Sequence, residues 1–251
     1  ADYSRADALK YRDYLIAKGM AGSSVSRVIS SIRAVMNFAI SEYALDLKNP
    51  FVGMYHDRLA GVSKRLPISI EDIRKVQQQC LSLNDDLRWL VALVSDTGMR
   101  LAEVSGLLKT DIILDEDIPF IRVQPHSWRK LKTAGSERDV PLVGVSLWAA
   151  QRLLDAYPDS GYAFPRYNKT TITNANSASA ALNKWLHPYV PNGCTMHSFR
   201  HSMRDRLRAV ECPADVVDQI GGWTTGGVGQ GYGSGYSLEV CFRWMKKMEG
   251  K

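Results

Sequence analysis

Apolar side chains recur at a helical spacing along most of the chain, and this pattern predicts a mainly α-helical protein. The start of the chain predicts two helices. The first covers residues 4–18, and the second runs from Ser23 or Ser24 to about Tyr43. The second helix has a broad apolar face, formed by Val25, Val28, Ile29, Ile32, Val35, Met36, Phe38, Ala39 and Ile40.

The opposite face of the second helix carries small polar and basic side chains, with no acid before Glu42. Hydroxyl, amide and guanidinium groups on such a stripe can lie against phosphates. A face that is merely solvated explains the same pattern equally simply. The candidate phosphate contacts on this helix are Arg27, Arg33 and Asn37.

A second and larger part of the chain is predicted to follow a basic linker over residues 56–66. Ser69 and Asp72 form a capping-box-like helix start, with Asp where Glu or Gln is usual. The apolar periodicity then predicts further helices, near residues 87–97, 99–107, 145–157, 176–186, 198–210, 213–220 and 238–248.

Strand signals are confined to the middle of this larger part. Two short strands, Ile112–Leu114 and Phe120–Val123, precede a basic segment over residues 128–142, which we interpret as a hairpin turn leading into a third strand. The predicted fold class is therefore mainly α with a small antiparallel β-sheet (α+β). It has two lobes, a helical one over residues 1–55 and a larger one over residues 67–251.

Composition narrows the class of partner. The 251 residues carry 32 Lys and Arg against 26 Asp and Glu, a net charge of +6, which suits a polyanion and equally suits solubility alone. No apolar run approaches the roughly 18 to 20 residues of a membrane span. The four cysteines form no CxxC pair, so we expect neither zinc nor a disulfide framework, and a reducing cytoplasm fits.

Five elements of the larger lobe offer groups that can act on an anionic ester. Arg100 stands at a predicted helix start, where its charge adds to that of backbone amides. Lys132 lies in the basic segment. His197 and Arg200 are three residues apart and so share a helix face. The remaining elements are Gly222-Trp223 and, nine residues after Trp223, Tyr232.

Three of these elements also have an ordinary explanation, and a fourth has a rival residue. Arg100 can be a surface arginine paired with Glu103, and Lys132 can be a solvated loop tip. Trp223 can be a core aromatic. Tyr236 competes with Tyr232, because the glycines between them leave the register open.

In this order and at these separations the five elements resemble the tyrosine recombinases, the phage integrase family. The resemblance implies that residues 67–251 are the catalytic domain. It also implies that residues 1–55 are a partial core-binding domain of SAM-like helical type without its opening helices, and that the two lobes form a DNA clamp. Neither metal nor another cofactor is implied.

The resemblance also implies a role for each site residue. Tyr232 is the nucleophile that attacks a DNA phosphate, leaving a 3′-phosphotyrosyl enzyme. Two arginines, Arg100 and Arg200, neutralise the phosphate. Lys132 protonates the leaving oxygen, and His197 holds phosphate or assists the tyrosine. The supporting residues are Trp223, which donates a hydrogen bond and packs the pocket, and Glu103, which orients its neighbours.

The implied partner is double-stranded DNA, bound by a homotetramer in the cytoplasm of a bacterium or of a phage-infected host. The last helix, Leu238–Met248, is expected either to dock on a neighbouring protomer or to pack on its own domain. Two other functions fit the same fold: a type IB topoisomerase-like relaxing enzyme and a catalytically silent DNA-binding protein. Further DNA contacts are expected at Lys64, Arg65, Arg129, Lys130 and Arg204.

Overall fold

The computed structural model describes residues 3–62, 66–169, 171–223 and 235–250. The chain divides into two compact units, Ala1–Lys64 and Arg65–Lys251. The helices and the small antiparallel sheets confirm the predicted fold class. The identification of the first unit as a core-binding domain stays a proposal.

The first unit contains two helices, α1 (Arg5–Ala17) and α2 (Gly22–Glu42). Ser4 caps α1 and exchanges hydrogen bonds with Asp7, which fixes the start of that helix. The side chain of Arg5 then donates to the carbonyls of Pro50 and Val52, at 2.6 and 2.7 Å. The return segment after α2 is therefore held against α1. A small core lies beneath these contacts and consists of Ala8, Leu15, Val25, Ile29 and Phe51.

Helix α2 begins at Gly22, earlier than the predicted serine cap. The backbone N–H of Gly22 donates to the carbonyl of Ala60 at 2.7 Å, so a contact from further along the chain satisfies one of the free donors at the start of this helix. Two members of its predicted apolar face, Val35 and Phe38, are exposed by 68% and 63%, because the small core lies under the first half of the helix.

Part of the predicted linker is bonded to the first unit. Arg12 donates to the carbonyl of Tyr55 at 2.9 Å, and Ser26 shares a hydrogen bond of 2.5 Å with His56. The contact from Gly22 to Ala60 extends this attachment. The bounds of the linker itself stay a prediction.

The second unit holds the remaining helices of the described chain. They match the periodicity closely, and capping residues mark several of their ends. Ser69 caps the start of one helix, Asp85 caps the start of the next, and the left-handed Gly98 (φ +59°) ends that second helix. The helices are α3 (Ile70–Leu83), α4 (Asp86–Thr97), α5 (Leu101–Ser105), α6 (Gly144–Asp155), α7 (Ala175–Leu186), α8 (Ser198–Ala209), α9 (Ala214–Gly221) and α10 (Leu238–Glu249).

Three short strands form an antiparallel sheet in the order β1 (Ile112–Ile113), β2 (Phe120–Val123) and β3 (Arg138–Pro141). Ile121 faces Val140 across the β2–β3 pair. The turn part of the basic segment is longer and less regular than a hairpin turn, and it includes a 3₁₀ turn at Ala134–Ser136 just before β3. A second hairpin, β4 (Asn168–Lys169) with β5 (Ile172–Thr173), was not predicted.

Helix α4 lies at the centre of the second unit, where its residues from Leu90 to Thr97 are all buried. Helix α10 packs on its own unit against β3 and α8, with Cys241, Met245 and Met248 buried. In the single chain this helix therefore packs on its own domain, which is one of the two alternatives expected for it.

None of the helices within the described ranges is long and apolar enough to cross a membrane.

Candidate active site

Arg100 occupies the point where α4 gives way to α5. Its backbone N–H donates to Oε2 of Glu103 at 2.9 Å, and its Nη1 donates to Oε1 of the same carboxylate at 2.6 Å. Arg100 and Glu103 therefore form the ion pair that their spacing on a helix permits. However, Glu103 is buried, whereas a surface pair would be solvated. A buried partner fixes the guanidinium in one orientation, as an orienting carboxylate should.

Arg200 lies on the first turn of α8 and is buried. Its Nη1 donates to the carbonyl of Gly98 at 2.8 Å, and its Nη2 donates to the carbonyl of Gly221. Arg200 thus joins the end of α4, just before Arg100, to the end of α9. Two arginines separated by a hundred positions in the sequence therefore meet around one piece of backbone.

The carbonyl end of α9 receives three guanidinium groups on three successive residues. Arg138 donates from Nε to Ile220 at 2.8 Å, Arg200 donates to Gly221, and Arg100 donates from Nη2 to Gly222 at 3.1 Å. A helix C-terminus carries partial negative charge and unpaired carbonyls, so it is a natural acceptor for cations. The three arginines come from β3, α8 and the start of α5.

Arg138 is a site residue that the sequence reasoning did not single out. It precedes Val140 and Leu142 at strand spacing, and both of those apolar residues are fully buried. The alternation of β3 therefore turns Arg138 inward as well. This period-two signal was available in the sequence and could have identified it.

Only glycine fits at position 222. Its φ is +60°, in the left-handed region, and a Cβ there would lie 2.7 Å from Nη1 of Arg138. The glycine before Trp223 is therefore what allows Arg138 to reach the end of α9.

Glu103 remains ionised despite its burial. Burial alone raises the pKa of a carboxyl, but the charge of Arg138 and the hydrogen bonds from Arg100 and Arg138 outweigh it, and the pKa of Glu103 falls below its ordinary value. Its Oε2 also accepts from Nη2 of Arg138 at 3.1 Å. One carboxylate thus bridges two arginines.

The buried position of Arg200 removes water from its guanidinium and so disfavours the charged form. Burial, together with the positive charges of Arg100 and Arg138, lowers the pKa of Arg200 to about 9. Counting Arg204 and Asp218, the cluster has four guanidinium groups and two carboxylates, so it keeps an excess of positive charge. An anion bound beside Arg200 would offset this cost.

Trp223 forms one wall of the cluster. The guanidinium carbon of Arg200 lies 4.3 Å from the indole centroid, and that of Arg204 lies 5.0 Å from it. Arg204 also pairs with Asp218 at 3.0 Å, and the backbone N–H of Trp223 donates to the Asp218 carbonyl at 2.9 Å. Arg204 therefore has a structural role in this wall, and its predicted DNA contact stays a prediction.

His197 is exposed at the N-cap of α8, and its carbonyl accepts from the backbone N–H of Arg200 at 3.1 Å. Its ring lies 5.4 Å from that of His201, edge to face. His197 therefore sits one helical turn before the buried arginine, on the solvent side.

Lys132 is exposed and precedes a turn that is tied to Arg100. The hydroxyl of Thr133 bonds that of Ser136 at 2.9 Å, and the Ser136 hydroxyl accepts from Nη1 of Arg100 at 3.1 Å. The loop that carries the lysine is thus attached to the arginine cluster, while the lysine head is in solvent.

The two candidate nucleophiles stand differently. Tyr232 lies outside the described residues. Tyr236 is held at the opposite end of α9 from the arginines, where its hydroxyl donates to Oδ2 of Asp215. That hydrogen bond raises the pKa of Tyr236, so its phenolate is disfavoured. Asp215 and Gly221 are six helical residues apart, which is about 9 Å along the axis.

The guanidinium of one predicted DNA contact is bonded within the second unit. Arg129 is buried, with Nη1 donating to the carbonyl of Glu103 at 3.0 Å and Nη2 to that of Gln124 at 2.6 Å. Two carbonyls thus hold this side chain in place, and its contact with DNA stays a prediction. Its neighbour Lys130 is exposed, and its predicted contact with DNA stays a prediction.

The other predicted contacts lie on exposed surface or outside the described chain. Arg27, Arg33 and Asn37 are exposed on α2, and the side-chain oxygen of Asn37 accepts from Asn49 at 2.6 Å. The linker residues Lys64 and Arg65 lie outside the described residues.

Comparison with known proteins agrees with the geometry. The sequence model of the phage integrase family matches residues 69–233. The chain is 28% identical to the tyrosine recombinase XerD of Halalkalibacterium halodurans over 158 residues, which are 60% of this chain and 48% of the relative. The chain thus spans about half the length of that curated relative.

Solved structures show the same fold. The Tn1549 transposon integrase in complex with circular intermediate DNA is similar with a TM-score of 0.65 and 17% identity, over 97% of this chain and 85% of that one. A lambda integrase tetramer bound to a Holliday junction is similar with a TM-score of 0.66 and 14% identity, over 90% and 63% of the two chains.

Proposed function

Since the chain belongs to the phage integrase family, we propose that it is a site-specific DNA recombinase that cuts and rejoins strands through a 3′-phosphotyrosyl intermediate on Tyr232. One observation carries the proposal. Arg100 and Arg200 bind neighbouring carbonyls at the end of α9, just before the segment that contains this tyrosine. Paired guanidinium groups of this kind suit a phosphodiester.

In the proposed reaction the phenol oxygen of Tyr232 forms a bond to the scissile phosphorus, and the bond from phosphorus to the 5′-oxygen breaks. Arg100 and Arg200 neutralise the nonbridging oxygens as charge develops. Removal of one preorganised donor of this type typically costs about 3–4 kcal/mol of transition-state stabilisation. The phosphotyrosyl bond conserves the energy of the phosphodiester, so a 5′-hydroxyl can reverse the step without ATP.

Two side chains handle protons in this proposal. Lys132 donates a proton to the departing 5′-oxygen, and His197 binds phosphate or accepts the proton of Tyr232. A free phenol has a pKa of about 10 and is a weak nucleophile at neutral pH, so it depends on nearby positive charge. Trp223 can donate a hydrogen bond from its indole N–H but cannot carry a proton between groups.

We extend the proposal to the DNA and to the assembly. The exposed polar face of α2, with Arg27, Arg33 and Asn37, contacts backbone phosphates, as do Lys64, Arg65, Lys130 and Arg204. Four copies assemble on the DNA, in the cytoplasm of a bacterial or phage-infected cell. The buried face of α10 is occupied within its own unit, so pairing through this helix uses its exposed residues or requires it to leave its place.

The test is covalent trapping. Nicked suicide duplexes from a randomised library are incubated with the protein, and adducts that survive detergent are selected and sequenced. On the selected duplex, Tyr232→Phe should retain binding and lose the adduct, while Tyr236→Phe should retain both. An adduct with Tyr232→Phe that disappears with Tyr236→Phe would mean that the register of the nucleophile is wrong.

The two alternative functions give different results in the same experiment. A catalytically silent DNA-binding protein shifts the duplexes without any adduct. A relaxing enzyme forms the adduct and relaxes supercoils as a monomer, without strand exchange between two sites. Either result would replace the recombinase proposal.

A further inference from the structure

Arg138 has the most completely occupied guanidinium in the cluster that surrounds the end of α9. Its side chain is 4% exposed, and its three nitrogens each donate to a different partner. Nε donates to the Ile220 carbonyl at 2.8 Å, Nη1 to the Ser136 carbonyl at 2.7 Å, and Nη2 to Glu103 at 3.1 Å. All three nitrogens of Arg138 are bonded to protein groups, so we assign it no contact with DNA.

Each partner of Arg138 is also an anchor of Arg100, or is next to one. Glu103 accepts from Nη1 of Arg100, and the hydroxyl of Ser136 accepts from the same nitrogen. Ile220 precedes the two glycines whose carbonyls hold Arg200 and Arg100. Arg138 therefore fastens together the three segments that support the proposed phosphate-binding pair.

The charge of Arg138 matters as well as its shape. Arg100, Arg138 and Glu103 together carry one net positive charge. Without Arg138 the carboxylate would be balanced by Arg100 alone, and the trio would be neutral. Less of the charge of Arg100 would then be available to a phosphate.

We propose that Arg138 is a positioning residue for the strand-cleavage reaction, which holds Glu103 and the carbonyl end of α9 so that Arg100 and Arg200 face one phosphate. This inference rests on the proposed function. It predicts that loss of Arg138 weakens phosphate binding and slows cleavage without removing any group that contacts DNA.

The test compares Arg138→Met, which keeps the length of the stem and removes the charge, with Arg138→Lys, which keeps the charge but not the fork. Arg122→Met is the matched control. Arg122 lies on the adjacent strand β2, is half exposed and pairs with Asp139 at 3.1 Å. It shares the sheet but not the cluster.

The first readout is the rise in melting temperature on addition of inorganic phosphate. Wild type and Arg122→Met should show the same rise, and Arg138→Met should lose most of it. This arm does not depend on catalysis. If wild type forms no covalent adduct, the recombinase proposal fails, whereas the phosphate arm still tests Arg138.

The second readout is the rate of adduct formation on a suicide duplex. Arg138→Met should be slower by about 100-fold, the effect typical of a small misplacement of catalytic groups, with the Kd for DNA changed by less than about threefold. A methylphosphonate at the scissile position carries no nonbridging negative charge, so the defect should shrink there to less than about tenfold. Arg138→Lys should recover part of the rate on the ordinary phosphate.

Three results would overturn the inference. One is a phosphate-induced stabilisation and cleavage rate in Arg138→Met equal to those of Arg122→Met. Another is an equal rate defect on the phosphate and methylphosphonate substrates. If Arg138→Met does not fold, Arg138→Lys takes its place, and wild-type behaviour of the lysine variant in both readouts would equally reject the role of the fork.

Discussion

The two ends of α9 are opposites in charge, burial and bonding. At its carbonyl end three guanidinium groups from three other elements bind residues 220–222, and two of these groups are buried. At its amino end the exposed carboxylate of Asp215 binds the hydroxyl of Tyr236. Each end therefore carries the charge that its helix dipole favours.

The difference between the two ends of α9 indicates where phosphate chemistry can take place on this helix. Cations gathered at one end attract an anionic ester and favour a phenolate beside it. A phenol that donates to a carboxylate at the other end has a raised pKa, and its phenolate is disfavoured. In the proposed mechanism, one short helix therefore separates a reactive environment from an unreactive one.

The largest expected effect comes from removing a guanidinium at the carbonyl end. Arg200→Met should slow adduct formation on a suicide duplex by about 10²–10³-fold, because a preorganised donor to the phosphate is lost. Arg122→Met is the control, since Arg122 pairs with Asp139 on the sheet and lies outside the cluster. Equal losses in the two variants would contradict the assignment of phosphate binding to Arg200.

An effect of comparable free energy is expected on folding when the negative charge of the cluster is removed. Glu103→Gln leaves Arg100 and Arg138 without their shared counter-charge, so the free energy of unfolding of the second unit should fall by about 3–5 kcal/mol. Urea titration at neutral pH measures this change. A loss below about 1 kcal/mol would mean that Glu103 contributes no more than an exposed pair.

The difference in unfolding free energy between wild type and Glu103→Gln depends on pH, and the lowered pKa of Glu103 determines the direction. Since the folded pKa of Glu103 lies below its ordinary value of 4.5, its contribution is complete above that pH and is lost as pH falls through the folded pKa. The gap between wild type and Glu103→Gln should therefore narrow below about pH 4.5. A gap that widened on acidification would contradict the lowered pKa.

The smallest effect is expected at the amino end of α9. Asp215→Asn should change the free energy of unfolding by less than about 1 kcal/mol, since the pair is exposed, and should leave adduct formation unchanged. The pKa of Tyr236 should fall towards its ordinary value of 10.0 because the carboxylate that raises it is gone. Ultraviolet titration against the same variant carrying Tyr236→Phe isolates this phenol.

The helices were predictable because residues close to each helix end determine where the helix begins and stops. Asp85 caps the start of α4 and Gly98 ends it in a left-handed conformation, so hydrogen bonds within a few residues fix both boundaries. Helix α2 is the exception, since its start depends on a contact with Ala60, far along the chain. The exposure of Val35 and Phe38 also follows from packing rather than from periodicity.

The candidate site was predictable as a set of residue types at family spacings, but the direction of each side chain was not. Arg129 and Lys130 are adjacent bases in the sequence, yet one is buried on two carbonyls and the other is exposed. Charge alone does not distinguish them. Arg138 differs, because the alternation of a short strand placed it inward beside two apolar residues.

Peptide mapping of the trapped wild-type adduct tests the account most directly. The interval from Ala209 to Arg243 contains no trypsin site before its end, so one tryptic peptide holds both candidate tyrosines. Fragment ions that break between residues 232 and 236 separate them. We expect the nucleotide phosphate on Tyr232, and a phosphate on Tyr236 would contradict the division of α9 into a reactive and an unreactive end.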